Sequence, residues 1–186
     1  YMPLPGIWVA FVKYNYRDGI FGSRFVGLDN FKFLASSGKL LSLTKNTILY
    51  NLAFILLGNF LAVFVAIMGI DGEMMEAAKV DGANGFQRIR YIILPSLKPT
   101  IVILLLFALG GIVKGNFGLF YNIVGSNSIL YTTTDIIETY VYRATMTDFN
   151  FSTASAVGLY QSVIGFVIVM VVNWVVKRIE PDYALF

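Results

Sequence analysis

From Ile48 to Ile70 the chain runs 23 residues without a charged side chain, broken only by Asn51, Asn59, Gly58 and Gly69. Wound as a helix this stretch is about 34 Å long, enough to cross the hydrocarbon core of a bilayer. Two further stretches have the same character. Thr100 to Val113 continues through glycine-rich sequence toward Tyr121, and Val157 to Val176 ends on Lys177-Arg178. Three spans predict an all-α fold, a polytopic transmembrane helical bundle that places the protein in a membrane as a multi-pass component.

Composition narrows the chemistry. The chain is 57% hydrophobic and 13% charged, against about 25% charged residues in an average soluble domain. With no cysteine and no histidine, it lacks disulfides, thiol nucleophiles, imidazole bases and the commonest zinc ligands. No Asp/Glu pair falls inside a span, so no catalytic residue and no metal site is expected, and the protein reads as a non-enzyme. A net charge of +3 without a basic cluster fits contact with membrane lipid and gives no sign of nucleic acid. Tyr1-Met-Pro-Leu-Pro carries no signal-peptide pattern and reads as the interior of a longer chain. Leu4 to Val12 is apolar but too short to span. Tyr14 to Thr47 interleaves Tyr16, Phe21, Phe25, Phe31 and Phe33 with Lys and Arg, which suits an interfacial segment, and Asp29-Asn30 is placed to cap a short helix.

The polar insert at 71–99 carries the most information about function. Asp71-Gly-Glu73 puts acids where a helix would start, near Gly72, and Ala77 and Ala78 favour close approach to a groove. Met74, Met75 and Val80 add deformable apolar contact. Gly82 suits a left-handed helix stop, and Phe86-Gln-Arg88-Ile-Arg90 begins a second short amphipathic piece before Leu94-Pro95. The pattern Glu76-Ala77-Ala78, three residues, Gly82, nine residues, Ile92, one residue, Leu94-Pro95 resembles the EAA loop of ATP-binding-cassette importer permeases, of the type I, methionine-importer-like permease fold.

Further segments carry the likeness toward the carbohydrate branch, in particular permeases for alginate- or pectin-derived fragments. They are Gly6-Ile-Trp-Val-Ala-Phe-Val-Lys-Tyr-Asn, Val26-Gly-Leu-Asp-Asn-Phe, Thr133-Thr-Asp-Ile-Ile-Glu-Thr-Tyr-Val-Tyr-Arg and Ser155-Ala-Val-Gly-Leu-Tyr-Gln-Ser-Val. The resemblance implies one permease domain over 1–186 in a bacterial inner membrane, with 71–99 as its cytoplasmic coupling loop. It implies as partners a second permease in a heterodimer, two ATPase subunits that use ATP and magnesium while this subunit binds no cofactor, an extracytoplasmic solute-binding protein, and a carbohydrate substrate. Glu76, Ala77, Ala78, Asp81 and Gly82, with Ile92, Leu94 and Pro95 completing the motif, would form the ATPase contact. Permeases of this kind carry two more helices before the loop, so the resemblance also implies a missing segment, and a chain break, near Ala66/Ile67.

Charge does not settle sidedness. Lys13, Arg17, Arg24, Lys32, Lys39, Lys45 and Arg143 fall on the implied outer side, against Lys79, Arg88, Arg90, Lys98, Lys177 and Arg178 inside. As candidates for a substrate path, Lys114 and Asn116 lie among four glycines at the end of a span, where Lys114 either lines a cavity or snorkels to the interface. Tyr140, Tyr142 and Arg143 suit either sugar stacking or an aromatic belt. Asn51, Asn59, Gln161 and Asn173 suit interhelical hydrogen bonds. The rivals to carbohydrate import are a same-fold importer of a non-sugar solute and a non-transporting scaffold whose loop docks a soluble partner.

Overall fold

The computed structural model describes the backbone of residues 3–68 and 72–179. Tyr1-Met2 and Asp71 of the sequence arguments lie outside the described residues. In chain order the elements are α1 Pro3–Val9, β1 Val12–Asn15, α2 Gly19–Gly22, β2 Ser23–Phe25, α3 Asp29–Ser36, α4 Lys39–Met68, α5 Gly72–Val80, α6 Gly85–Arg88, a π-helical turn Ile89–Ile93, α7 Leu94–Gly110, α8 Phe117–Val124, α9 Tyr131–Thr134, α10 Ile137–Met146 and α11 Phe151–Ile179. Three stretches, Lys39–Val65, Gly85–Gly110 and Phe151–Arg178, are helical, long and apolar enough to cross a membrane. The chain packs into two units. One holds the chain up to Leu52 and Gly111–Ile168; the other holds Ala53–Gly110 and the chain from Val169.

Among the described residues the one departure from helix and turn is an antiparallel hairpin in the first unit, pairing Val12 with Phe25 and Lys13 with Arg24. Its connection is built from short polar side chains. Asn15 accepts from the Arg17 amide and donates to Asp18, and the Ser23 hydroxyl donates to the Gly19 carbonyl, with Gly19 at φ +68°. Asp29 lies in the first turn of α3 without capping it, and Asn30 instead donates to the carbonyls of Ala10 and Val12. The expected cap is therefore corrected, because the side-chain amide of Asn30 is taken up by the Ala10 and Val12 carbonyls. Leu34, Leu40, Leu43, Ile112, Val113, Ile136, Ile137, Ala156 and Val157 are buried in this unit.

Two expectations for the first span change. The helix starts at Lys39, ahead of Ile48, because its polar residues bind other elements instead of ending it. The Thr44 hydroxyl lies 2.9 Å from that of Tyr160, Asn46 donates to the Asp135 carbonyl at 3.1 Å, and Thr47 accepts from the Ile137 amide at 3.0 Å. Hydropathy alone counts such residues as loop. The break expected at Ala66/Ile67 is also corrected: α4 continues through both residues to Met68. Apolar, helix-compatible residues stand on both sides of the join, so nothing local stops propagation.

In the second unit the π-helical turn precedes Pro95. The Leu94 amide donates back to the Ile89 carbonyl, one residue farther than in an α-helix. Pro95 has no N–H and its ring crowds the carbonyl four residues earlier, and a widened turn relieves both problems. The loop's second piece thereby runs into α7, with Pro99 inside the span. Within this unit α7 and α11 approach at Gly110, where a Cβ would sit 3.8 Å from Val169 Cγ2.

Candidate functional site

The loop between α5 and α7 is a helix stop placed directly against a helix start. At the end of α5 the Ala83 amide donates to the Ala78 carbonyl at 2.9 Å and the Gly82 amide to the Lys79 carbonyl at 3.1 Å. Gly82 is at φ +79°. This pair of bonds closes a Schellman turn, which needs a left-handed residue where Gly82 stands. Two residues later Asn84 caps α6. Its side chain accepts from the Gln87 amide at 2.9 Å while the Gln87 side chain accepts from the Asn84 amide at 2.8 Å. Asn84 and Gln87 are missed by the sequence argument, although an Asn followed three residues later by a Gln is a capping-box signal.

The turn presents a surface. Glu76, Ala77, Lys79, Asp81 and Gly82 are exposed, and the apolar Val80 and Phe86 that flank the stop are 87% and 71% exposed. Tyr91 is exposed beside them, and a shallow groove of about 310 Å³ is lined by Asp81, Gly82, Ala83, Gln87, Tyr91 and Ile92. Of the two alanines, Ala78 is buried within the chain. Ala77 is thus the one a partner can approach closely, and Ala78 serves the packing of the loop. Leu94 and Pro95 are exposed at the start of α7. The groove holds no nucleophile and base in hydrogen-bonding reach, and among the described residues no cluster of acids suits a metal ion. A rigid turn flanked by exposed apolar side chains suits docking.

The substrate-path candidates Lys114, Asn116, Tyr140, Tyr142 and Arg143 fall in the first unit, where most of the polar side chains are engaged internally. α7 ends at Gly110, and the carbonyls that follow are capped from other helices. Asn51 donates to those of Ile112 and Lys114, each at 2.8 Å, and Gln161 donates to that of Val113 at 2.8 Å. Lys114 occupies the turn with its side chain exposed, and Asn116 caps α8 by accepting from the Leu119 amide. Gln161 also donates to Glu138 Oε1, which accepts from the Gly115 amide as well, both at 2.7 Å. A side chain at Gly115 would meet Ile136 Cδ1 at 2.5 Å and Glu138 Oε2 at 2.6 Å, so the ends of those two side chains would have to move to admit one.

Arg143 is bound by Asp135, whose side chain is 2% exposed, and stacks on Tyr131 at 3.9 Å. Thr139 donates to the other Asp135 oxygen at 2.7 Å and Lys39 lies 3.7 Å from the carboxylate. Tyr142 packs with Phe117 and Tyr121, centroids 5.2 and 5.0 Å away. Its phenol is raised above the usual range, first by its hydrogen bond to Tyr121. Tyr140 is raised by burial and then by Asp148 and Asp135, with Lys39 5.5 Å from its ring. Asn59 bonds the Ile55 carbonyl of its own helix.

Comparison with known proteins places this architecture. Residues 3–182 match the family described as binding-protein-dependent transport system inner membrane component. Protein LplB of Bacillus subtilis (strain 168) is 34% identical over 117 residues, which cover 63% of this chain and 36% of that protein. The polygalacturonan/rhamnogalacturonan transport system permease protein YteP of the same organism gives the same identity and the same coverage. The crystal structure of a bacterial alginate ABC transporter, in complex with alginate pentasaccharide-bound periplasmic protein, superposes with a TM-score of 0.54 and 35% identity. That match covers 64% of this chain and 41% of the solved one. This chain therefore spans 36% of the length of the two curated relatives.

Proposed function

Since this chain belongs to the binding-protein-dependent transport system inner membrane component family, we propose that it is the membrane-spanning part of an ATP-driven carbohydrate importer. In this reading it performs no chemistry and binds no cofactor. Its α5–α6 loop seats in a separate ATPase that consumes ATP and magnesium, and ATP-driven movement of that ATPase is passed through α7 to the bilayer. A second permease, a pair of ATPase subunits and an extracytoplasmic binding protein complete the assembly. The substrate class is an oligosaccharide or polysaccharide fragment, supported by the names of YteP and of the alginate transporter.

The observation that carries the reading is the loop itself. A Schellman stop at Gly82 and a capping box at Asn84 fix a turn that exposes Ala77, Val80 and Phe86, an arrangement that costs exposed apolar area unless a partner covers it. Purifying the tagged full-length subunit from its native membrane tests this. An ATPase and a second permease should co-purify, and one sugar of an oligosaccharide panel should stimulate ATP hydrolysis when the binding protein is added. A lone soluble partner without ATP hydrolysis would replace transport with a scaffold role.

A further inference from the structure

In the first unit an open cleft of about 660 Å³ lies among β1, the start of α3 and the turn from α10 into α11, with Lys13, Tyr14, Phe33, Asp148 and Phe149 on its walls. Phe149 is, among the described residues, the one non-glycine with positive φ, at +49°. Glycine fits that backbone at no steric cost, and a bulky residue is strained there. The strain has no return in packing, because the Phe149 ring is 65% exposed, and Phe33 on the same cleft is 66% exposed. A strained residue that presents an unburied ring points to function.

The floor beneath these rings is fixed. The Tyr14 amide donates to the buried Ser152 hydroxyl at 2.8 Å, and Phe151 meets Tyr14 and Tyr16 edge-on at 5.6 and 5.7 Å. The α10–α11 turn is tied at both ends. The Asn150 amide donates to the Ala144 carbonyl at 2.7 Å, and the Asn150 side chain accepts from the Thr153 amide. A ligand therefore meets walls that need little ordering.

We propose that this cleft is a glycan-binding site, a deepening that rests on the carbohydrate reading above. A pyranose has an apolar C–H face that covers an exposed aromatic ring and a rim of hydroxyls that both donate and accept. Phe149 and Phe33 supply the faces. Asp148 accepts from hydroxyls and Lys13 donates to them. An acyl chain has no use for the carboxylate or the ammonium, and a phosphate backbone is repelled by Asp29 and Asp148. With two carboxylates against the one ammonium of Lys13, the rim favours a neutral sugar over a uronic acid, and the site would hold part of a glycan outside the spans.

The test uses the assembled full-length transporter in lipid nanodiscs, without its binding protein. Saturation-transfer NMR is recorded with maltopentaose, galactopentaose, pentagalacturonate and alginate pentasaccharide. At least one should bind the wild type, the neutral and acidic arms telling which sugar the rim prefers. Phe149→Gly, which relaxes the backbone while removing the ring, should weaken that binding about three- to tenfold without lowering the unfolding midpoint, and Phe33→Ser should do likewise. Unchanged binding by both variants would overturn the cleft, and sugar-stimulated ATP hydrolysis in the wild type would then leave the import reading standing. Normal sugar binding with lost stimulation by the binding protein would instead make the cleft a protein-docking surface and overturn it equally. If no sugar binds or stimulates the wild type, both readings fall.

Discussion

The two units solve opposite problems with the same helices. In the first, the polar residues of α4 and α11 are bonded to other segments: Thr44 to Tyr160, Asn46 to Asp135, Asn51 to the carbonyls of Ile112 and Lys114, and Gln161 to Glu138. In the second, Ala78, Ile93 and Asn173 are the buried residues among those described, while Leu56, Leu57, Phe60, Leu61 and Phe64 stand exposed along α4. The contrast teaches where stability resides. One region carries its own core and polar network, and the other exposes most of its apolar side chains, as a surface that meets lipid or another chain would.

Substitutions can break or sharpen that contrast. The largest effect is expected from Asp135→Leu, which strands Arg143 against a buried site and removes the partner of Thr139; denaturant unfolding in micelles should show a loss of about 3–5 kcal/mol. Adding Arg143→Leu should recover much of that loss, since a paired removal leaves no uncompensated charge. Next, Gly115→Ala places a Cβ 2.5 Å from Ile136 Cδ1, and the same unfolding assay should read a loss of about 1–3 kcal/mol. Asn51→Leu should cost about 1 kcal/mol by leaving two carbonyls after α7 without their donor. The smallest effect belongs to the other unit. Leu57→Ala, 61% exposed, should stay within about 0.5 kcal/mol in the isolated subunit. A larger cost confined to the assembled complex would show that a partner covers this face.

The sequence made the presence of three spans legible, because runs of apolar residues long enough for a bilayer leave few alternatives, but it misplaced the second: expected over Thr100–Val113 and on toward Tyr121, its helix ends at Gly110 and starts inside the polar insert, at Leu94. It also located the loop helix and its stop, since the glycine at 82 falls where a left-handed residue is required. The start of α4 at Lys39 was hidden because its polar residues bond to partners far away in sequence, as Thr47 does to Ile137. The hairpin was hidden for a different reason: strands of four and three residues give too short an alternation to read. Arg143 illustrates the limit for sites. Its residue type suits sugar recognition, yet its engagement by Asp135, eight positions away, appears only when the turn from α9 into α10 brings the two together.

The central claim is that the α5–α6 turn transmits the work of ATP hydrolysis, and two substitutions in that turn address it without touching the first unit. Gly82→Val forces a β-branched residue into a left-handed backbone, at a cost of about 1–3 kcal/mol to the turn, and Ala77→Trp adds bulk on the exposed alanine. Sugar-stimulated ATP hydrolysis and uptake are to be measured together for the reconstituted full complex. The account expects both to fall by about tenfold or more, the change that a lost 1.4 kcal/mol produces, while membrane insertion and pairing with the second permease stay normal. Normal uptake by both variants at normal expression would contradict it.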